Sequence, residues 1–552
     1  MKATTMLETG LAVGTALTKS RLLRPVDPRS AFRMGRALAA KSPNAPLLAA
    51  LSAARWPDRV ALVDDLGALT YADLASWIDA VASGLHHEFA AGTGTAVAVM
   101  CRNSRYAVAG LLGVMATGAD VVLLNTDFHS EALRRSLARH EMRVIICDAE
   151  FEAALRAAGY TGPLVLAFAA TRAEPAEGRA PGGSVTVDGW VRRGYRSLGR
   201  MPVGRLVILT SGTTGTPKGV PRRPGLSMIA GTAASILHRT GLRTGSVIAV
   251  GIPMFHGFGL GVLLLGLALG GKLVMHRHFD AEAALAAIAG HRVDMFAGVP
   301  VMMQRILALP NATRRRYDLS SLRVALSGAA PLSPALAREF TAVFGEVLYN
   351  GYGSSEVGIG ALATPADLRV APGTVGRPVT GVEVRILDEA GRELPPWAVG
   401  RIFVGGDLGF SGYSGGGNKD RVDGRISSGD MGYLDAGGRL FLVGREDDMI
   451  VSGGENVYPQ EVEYVLADHP ALAEVAVIGV DDAEYGQRLA VFAVLAPGHQ
   501  LDPGELRDFL HDKVARYQRP RDITLVPEIP RNATGKVDRK ALRGTVNPSG
   551  AA

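Results

Sequence analysis

Residues 205–219, Arg-Leu-Val-Ile-Leu-Thr-Ser-Gly-Thr-Thr-Gly-Thr-Pro-Lys-Gly, constrain this chain more than any other stretch. Val207, Ile208 and Leu209 read as a short buried strand. From Thr210 to Gly219 nearly every side chain is a hydroxyl or a hydrogen, broken only by Pro217 and Lys218. Glycines let backbone N–H groups come close to an anion, hydroxyls add donors, and Lys218 brings positive charge. A phosphate-rich ligand suits that chemistry. A Walker loop is excluded: counted from Gly212, Pro217 stands where the second glycine belongs and Gly219 where the Ser/Thr belongs. A polar loop without a ligand is the plainer alternative, and the density of Ser, Thr and Gly beside Pro-Lys-Gly argues against it.

At 552 residues the chain exceeds one ordinary core, so two or more domains are expected. A hydrophobic content of 47% with 20% charged residues excludes a disordered chain. Cys101 and Cys147 are the only cysteines, which leaves no disulfide framework or zinc cluster and suits a cytoplasmic setting. The formal charge of +6 lies entirely in residues 1–41, on a body that is otherwise neutral. Such a distribution argues against a nucleic-acid partner. It is compatible with peripheral contact of residues 1–41 at the inner face of an anionic membrane, and equally with a solvated basic face. Gly10 to Leu17 is too short and lacks the cleavage site of a secretory signal. The uncharged Gly245 to Gly271 is broken by Pro253 and glycines, and predicts a strand, loop and helix instead of a membrane span. The oligomeric state is not legible.

Apolar strand-like runs (97–100, 120–124, 143–147, 247–252, 272–275, 323–326) alternate with helical segments, which predicts βαβ units and an α/β fold with parallel sheets. Residues 171–184 read as an exposed loop. From about 375 the texture becomes antiparallel, at 382–387, 400–404 and 439–443, and beyond Gly444 a small α+β domain follows, with helices near 459–467 and 503–516. The expected division is a basic helical extension 1–50, a large domain 51–444, a hinge 445–447, a small mobile domain 448–543 and a tail 544–552.

The loop at 210–219 resembles the phosphate-binding loop of the acyl-adenylate-forming enzymes, which include acyl-CoA synthetases, peptide-synthetase adenylation domains and firefly luciferase. Further stretches resemble that superfamily's signatures in their usual order: Pro253-Met-Phe-His-Gly257, Ser327-Gly-Ala-Ala-Pro331, Asn350-Gly-Tyr-Gly-Ser-Ser-Glu356, Ser428-Gly-Asp430, Gly444-Arg-Glu-Asp-Asp448 and Arg531-Asn-Ala-Thr-Gly-Lys536. The likeness is to the acyl-CoA synthetase branch, with ATP, Mg²⁺, coenzyme A and a small carboxylic acid as the implied ligands. It implies that Thr210, Ser211, Gly212, Thr213, Thr214, Gly215 and Lys218 hold phosphates. Gly328, Ala329, Tyr352, Gly353 and Ser355 would then contact the adenosine, with the Tyr352 ring stacked on adenine. Glu356 would hold Mg²⁺, Asp430 the ribose hydroxyls, and Arg445 the nucleotide. His256 would gate the acyl pocket, Asp447 would be the hinge pivot, and Gly453 and Gly454 would face the coenzyme A channel. Lys536 would be the catalytic cation of adenylation. Ser355 stands where the superfamily usually has Thr, and the glycine-rich Ser414 to Ser427 replaces a longer segment bearing a Trp.

Read without the resemblance, His256 serves equally as a structural histidine, Gly444 to Asp448 as a solvated linker, and Phe258 to Leu269 as core. With it, the implied reaction makes an acyl-CoA from a medium- to long-chain fatty acid, by way of an acyl-adenylate. An aryl acid, a carrier-protein acceptor and a membrane-associated uptake protein are the alternatives.

Overall fold

In the computed structural model, residues 14–546 are described apart from His129, 168–184, 211–217, 223–225, 407–409, 411, 414–417, 453–454, 483–485 and 533–534. The loop expected at 171–184 therefore lies outside the described residues. The N-terminal region is helical. Asp27 caps α1 (Pro28–Ala40), where a proline at the first turn costs no hydrogen bond. It packs on α2 (Ala45–Arg55), which also opens on a proline, Pro46. Because α2 starts at Ala45 and ends at Arg55, it runs across the boundary expected at 50, so that division cuts a helix.

Two sheets form the large domain. In the first, short Val/Ile/Leu strands run parallel in the order Val185–Thr186, Leu164–Leu166, Met142–Cys147, Ala96–Met100, Asp120–Leu123 and β1 (Leu206–Thr210). The antiparallel β2 (Lys218–Arg222) closes its edge. Next comes α3 (Leu226–Thr240), followed by the strand Val247–Val250 and α4 (Gly257–Ala268). The uncharged 245–271 is thus strand, loop and helix as expected, and among the described residues no helix is long and apolar enough to cross a membrane.

The second sheet has a parallel centre, Lys272–Met275, Val247–Val250, Met295–Gly298, β3 (Val324–Ser327) and β4 (Leu348–Ser354). Helix α5 (Pro300–Ala308) follows Met295–Gly298. Beyond β4 the sheet continues antiparallel through β5 (Gly358–Ala363) and Thr374–Pro378 to β7 (Leu440–Arg445), β6 (Arg425–Leu434), Gly400–Gly405 and Glu383–Leu387.

The small domain wraps α6 (Pro459–Leu466) and the helix Pro503–His511 against a separate sheet built on the long pair Leu472–Asp482 and Gly486–Leu495. The helix expected over 503–516 stops at His511, and Val514 turns in against the domain's core. Its last helix, Arg539–Val546, crosses the boundary expected at 543.

Candidate active site

The segment expected to bind phosphates joins β1 and β2, antiparallel partners at the sheet edge whose register pairs Thr210 with Lys218. Ser211, Gly212, Thr213, Thr214 and Gly215, with the side chains of Thr210 and Lys218, lie outside the described residues.

The remaining motifs converge on one cleft of about 2090 Å³ between the two domains. Gly328 and Ala329 follow β3. A Cβ on Gly328 would stand 3.0 Å from the Phe258 ring, and Ala329 is left-handed at φ 64°, so the backbone itself walls the cleft here. Gly353 sits where β4 and β5 pass so closely that a Cβ would meet the Gly358 carbonyl oxygen at 2.1 Å. That bulge carries the chain to Ser355 and Glu356, both on the cleft wall.

Tyr352 is buried on β4, and its hydroxyl donates to Asp430 Oδ2 at 2.7 Å. Burial first, then the Asp430 charge, pushes its phenol well above the usual range. Asp430 lies on β6 directly opposite Arg445 of β7, and Arg445 Nη1 donates to Asp430 Oδ1 at 3.1 Å. The fifteen-residue spacing between them is the path from Asp430 along β6, round the turn and back along β7 to its in-register partner. Arg445 Nε also donates to Asp447 Oδ1 at 3.1 Å. Burial works against the Arg445 charge, but Asp430 and Asp447 outweigh it and raise its pKa. Burial likewise opposes ionisation of Asp447, and the guanidinium overrides it, holding that carboxyl below its usual range.

Tyr413, on no expected list, donates its hydroxyl to Glu356 Oε1 at 2.8 Å. Its one sequence signal is an aromatic at the head of a glycine-rich segment. Ser354 Oγ accepts from the N–H groups of Glu356 and Val357, fixing the turn. Tyr413 engages Oε1, and Glu356 lines the cleft. Among the described residues no group of three or more His, Cys, Asp or Glu could hold a metal ion. A lone carboxylate fits Mg²⁺, which takes most of its other oxygens from phosphates and water. Tyr413→Phe should raise the Mg²⁺ concentration for half-maximal ATP–pyrophosphate exchange by about tenfold, the usual effect of removing a group that orients a metal ligand. A magnesium titration of the exchange rate measures it.

His256 caps α4 by accepting the Phe258 N–H on Nδ1 at 3.3 Å, which leaves its proton on Nε2. Burial, and then the nearby Lys536, lowers its pKa to about 4, so the ring is neutral at physiological pH. His256 is thus the cap of α4 and also a lining residue of the cleft.

Lys536 arrives from the small domain. Its N–H donates to Asn532 Oδ1 at 3.1 Å and its carbonyl accepts from the Asn532 N–H at 2.9 Å, closing a tight turn. Arg531 braces that turn by donating to the Gly535 carbonyl at 2.9 Å while paired with Glu474. The side chain is open to water but enclosed by the cleft walls. These surroundings, then Arg445, lower its pKa, while Asp430 and Glu356 oppose the shift. Gly535, at φ +75°, presses on the large domain: a Cβ there would meet Val299 Cγ2 at 2.9 Å and Val301 Cγ1 at 3.1 Å, at the start of α5. Gly535→Ala should thus push Lys536 out of register, lowering acid-dependent pyrophosphate exchange between about tenfold and a hundredfold. Thioester formation from a pre-made acyl-adenylate, measured alongside, should change far less.

Lys536 is the small-domain motif residue described in the cleft. Gly453 and Gly454 lie outside the described residues, and the strands flanking them, Ile450–Ser452 and Glu455–Val457, do not line the cleft. In this conformation Lys536 occupies the cleft.

The AMP-binding enzyme family model matches residues 50–414, and the model of the AMP-binding enzyme C-terminal domain matches 461–536. The indoleacetate–CoA ligase of Aromatoleum aromaticum is 32% identical over 507 residues, covering 90% of this chain and 95% of the relative. A fatty acid–[acyl-carrier-protein] ligase of Streptomyces coeruleorubidus is 35% identical over 345 residues, covering 61% of this chain and 66% of that one. The crystal structure of an anthranilate CoA ligase in complex with anthranoyl-AMP superposes with a TM-score of 0.81 at 26% identity, covering 91% of this chain and 97% of that one.

Proposed function

The chain belongs to the AMP-binding enzyme family and is an ATP-dependent acid–thiol ligase working through an acyl-adenylate, and we propose that its acid is a medium- to long-chain fatty acid joined to coenzyme A. The observation carrying that choice is the cleft wall beyond His256, where Ile236, Phe258, Leu260, Leu264, Leu326 and Leu362 present no charge to an acyl tail. A tail with a carboxylate or sulfonate would need a buried cation there.

The acid's carboxylate oxygen attacks the α-phosphorus of ATP in line, and pyrophosphate leaves. Lys536 neutralises charge on the carboxylate and α-phosphate, and Asp430 trades its Tyr352 and Arg445 hydrogen bonds for the ribose hydroxyls. Tyr352 offers its ring to adenine, and the turn between β1 and β2 takes the β- and γ-phosphates. Mg²⁺, held by Glu356, would neutralise phosphate charge. In the second half-reaction the thiol attacks the acyl carbonyl and AMP leaves with the former carboxylate oxygen. For that step the small domain turns about Asp447, withdrawing Lys536 and bringing Gly453 and Gly454 to the coenzyme A channel.

A panel of acids tests the substrate. AMP release in the presence of coenzyme A should rise with alkyl length from acetate and peak among medium to long chains, with aryl acids slower. A peak on aryl acids would overturn the alkyl assignment. The identity to a carrier-protein ligase favours a second reading, in which acyl transfer occurs to a carrier protein and coenzyme A leaves AMP release unchanged.

A further inference from the structure

Helix α1 is amphipathic in an unusual sense, since its apolar side faces outward. The side packed on the protein carries Ser30, Met34 and Ala37, with Arg33 donating to the Ala54 carbonyl at 2.9 Å. At 3.6 residues per turn, Leu38, Ala31, Gly35, Pro28, Ala39 and Phe32 fill a continuous arc of about 120° on the opposite side. All six are exposed, Phe32 at 69% and Leu38 at 53%, and no charge interrupts them. Arg36 and Arg29 follow at the arc's edge, both exposed. At the helix's N-terminal end, Arg21, Arg24, Arg55 and Arg59 line a hollow with one carboxylate, Asp27, and nearby Leu23 is 64% exposed.

We propose that this face docks the enzyme on an anionic lipid bilayer. Phe32 and Leu38 would enter the acyl boundary, and the arginines would lie among headgroup phosphates. Charge complementarity selects this occupant. A second copy of the chain would bring the same arginines against their own kind, whereas anionic lipid offers the opposite sign. The small residues between Phe32 and Leu38 leave both side chains proud of the helix surface. Beneath α1, helix α2 packs on α4, with Ser52 Oγ donating to the Leu267 carbonyl at 2.7 Å, so the docked face is two helices from the cleft.

The test is co-sedimentation of the full chain with vesicles of phosphatidylcholine alone or mixed with phosphatidylglycerol. The protein should bind only the mixed vesicles, and salt should weaken binding. Phe32→Ser with Leu38→Ser should lower the partition coefficient about a hundredfold. Arg29→Gln with Arg36→Gln should lower it about thirty-fold and flatten the salt dependence. Pyrophosphate exchange on a water-soluble acid should be unchanged in both variants, which also shows that they fold. Equal binding to both vesicle types, or variants that bind like the parent, would overturn the proposal. So would a dimer in light scattering that Phe32→Ser dissociates, since the face would then belong to a second copy.

Discussion

Lys536→Ala should lower acid-dependent ATP–pyrophosphate exchange by about two to three orders of magnitude, the range for removing one preorganised charge from a transition state. It should leave thioester formation from a supplied acyl-adenylate largely intact. The asymmetry follows from where the residue sits. The turn from Asn532 to Lys536 is closed on itself by hydrogen bonds, braced by Arg531 and pressed on Val299 and Val301 through Gly535. Lys536 therefore lines the same cleft as Glu356, Asp430 and Arg445. Adenylation builds charge between carboxylate and phosphate, where a cation lowers the barrier. On the proposed mechanism the thiol attacks the acyl carbonyl only after the small domain has turned and Lys536 has withdrawn. Lys536→Arg should recover part of the exchange, limited by the larger, planar head. Equal loss of both half-reactions in Lys536→Ala would mean the residue holds the fold and not the transition state.

The second large effect runs the other way. Asp447→Pro should keep pyrophosphate exchange near the parent rate and abolish thioester formation. In this structure Asp447 lies just after β7, tied to Arg445 at 3.1 Å. Proline fixes its own φ and restricts the residue before it, so a substitution compatible with the present arrangement freezes the chain there. On the proposed hinge role, a frozen Asp447 would hold Lys536 in the cleft, the arrangement that adenylation needs. Single-turnover measurements of the two half-reactions separate these outcomes. Loss of exchange as well would show that proline had disturbed the Arg445–Asp430 pair, and Asp447→Ala would then isolate the hinge contribution.

That Asp430 and Arg445 would share one site was legible in the sequence through the resemblance of their motifs, and the structure pairs them. Asp430 and Arg445 face each other because they lie in register on adjacent antiparallel strands, a pairing that the structure supplies. The edge hairpin at the phosphate loop was not legible. Lys218 to Arg222 contains Pro221, which argues against a central strand and is tolerated here only because β2 is the sheet edge. The bond from Tyr352 to Asp430 spans 78 residues, and that from Tyr413 to Glu356 spans 57, distances over which no periodicity speaks. Likewise Phe32 and Leu38 stand among arginines in any reading of residues 28–40. Which side of the helix meets the protein depends on α2, and a helical pattern would ordinarily turn the apolar side inward.

On the proposed mechanism the acid's own oxygen attacks the α-phosphorus in the cleft that Lys536, Glu356 and Asp430 line. Acid labelled with ¹⁸O in its carboxylate, turned over with ATP and coenzyme A, should yield AMP carrying one labelled oxygen and pyrophosphate carrying none. Unlabelled AMP alongside full thioester formation would contradict it.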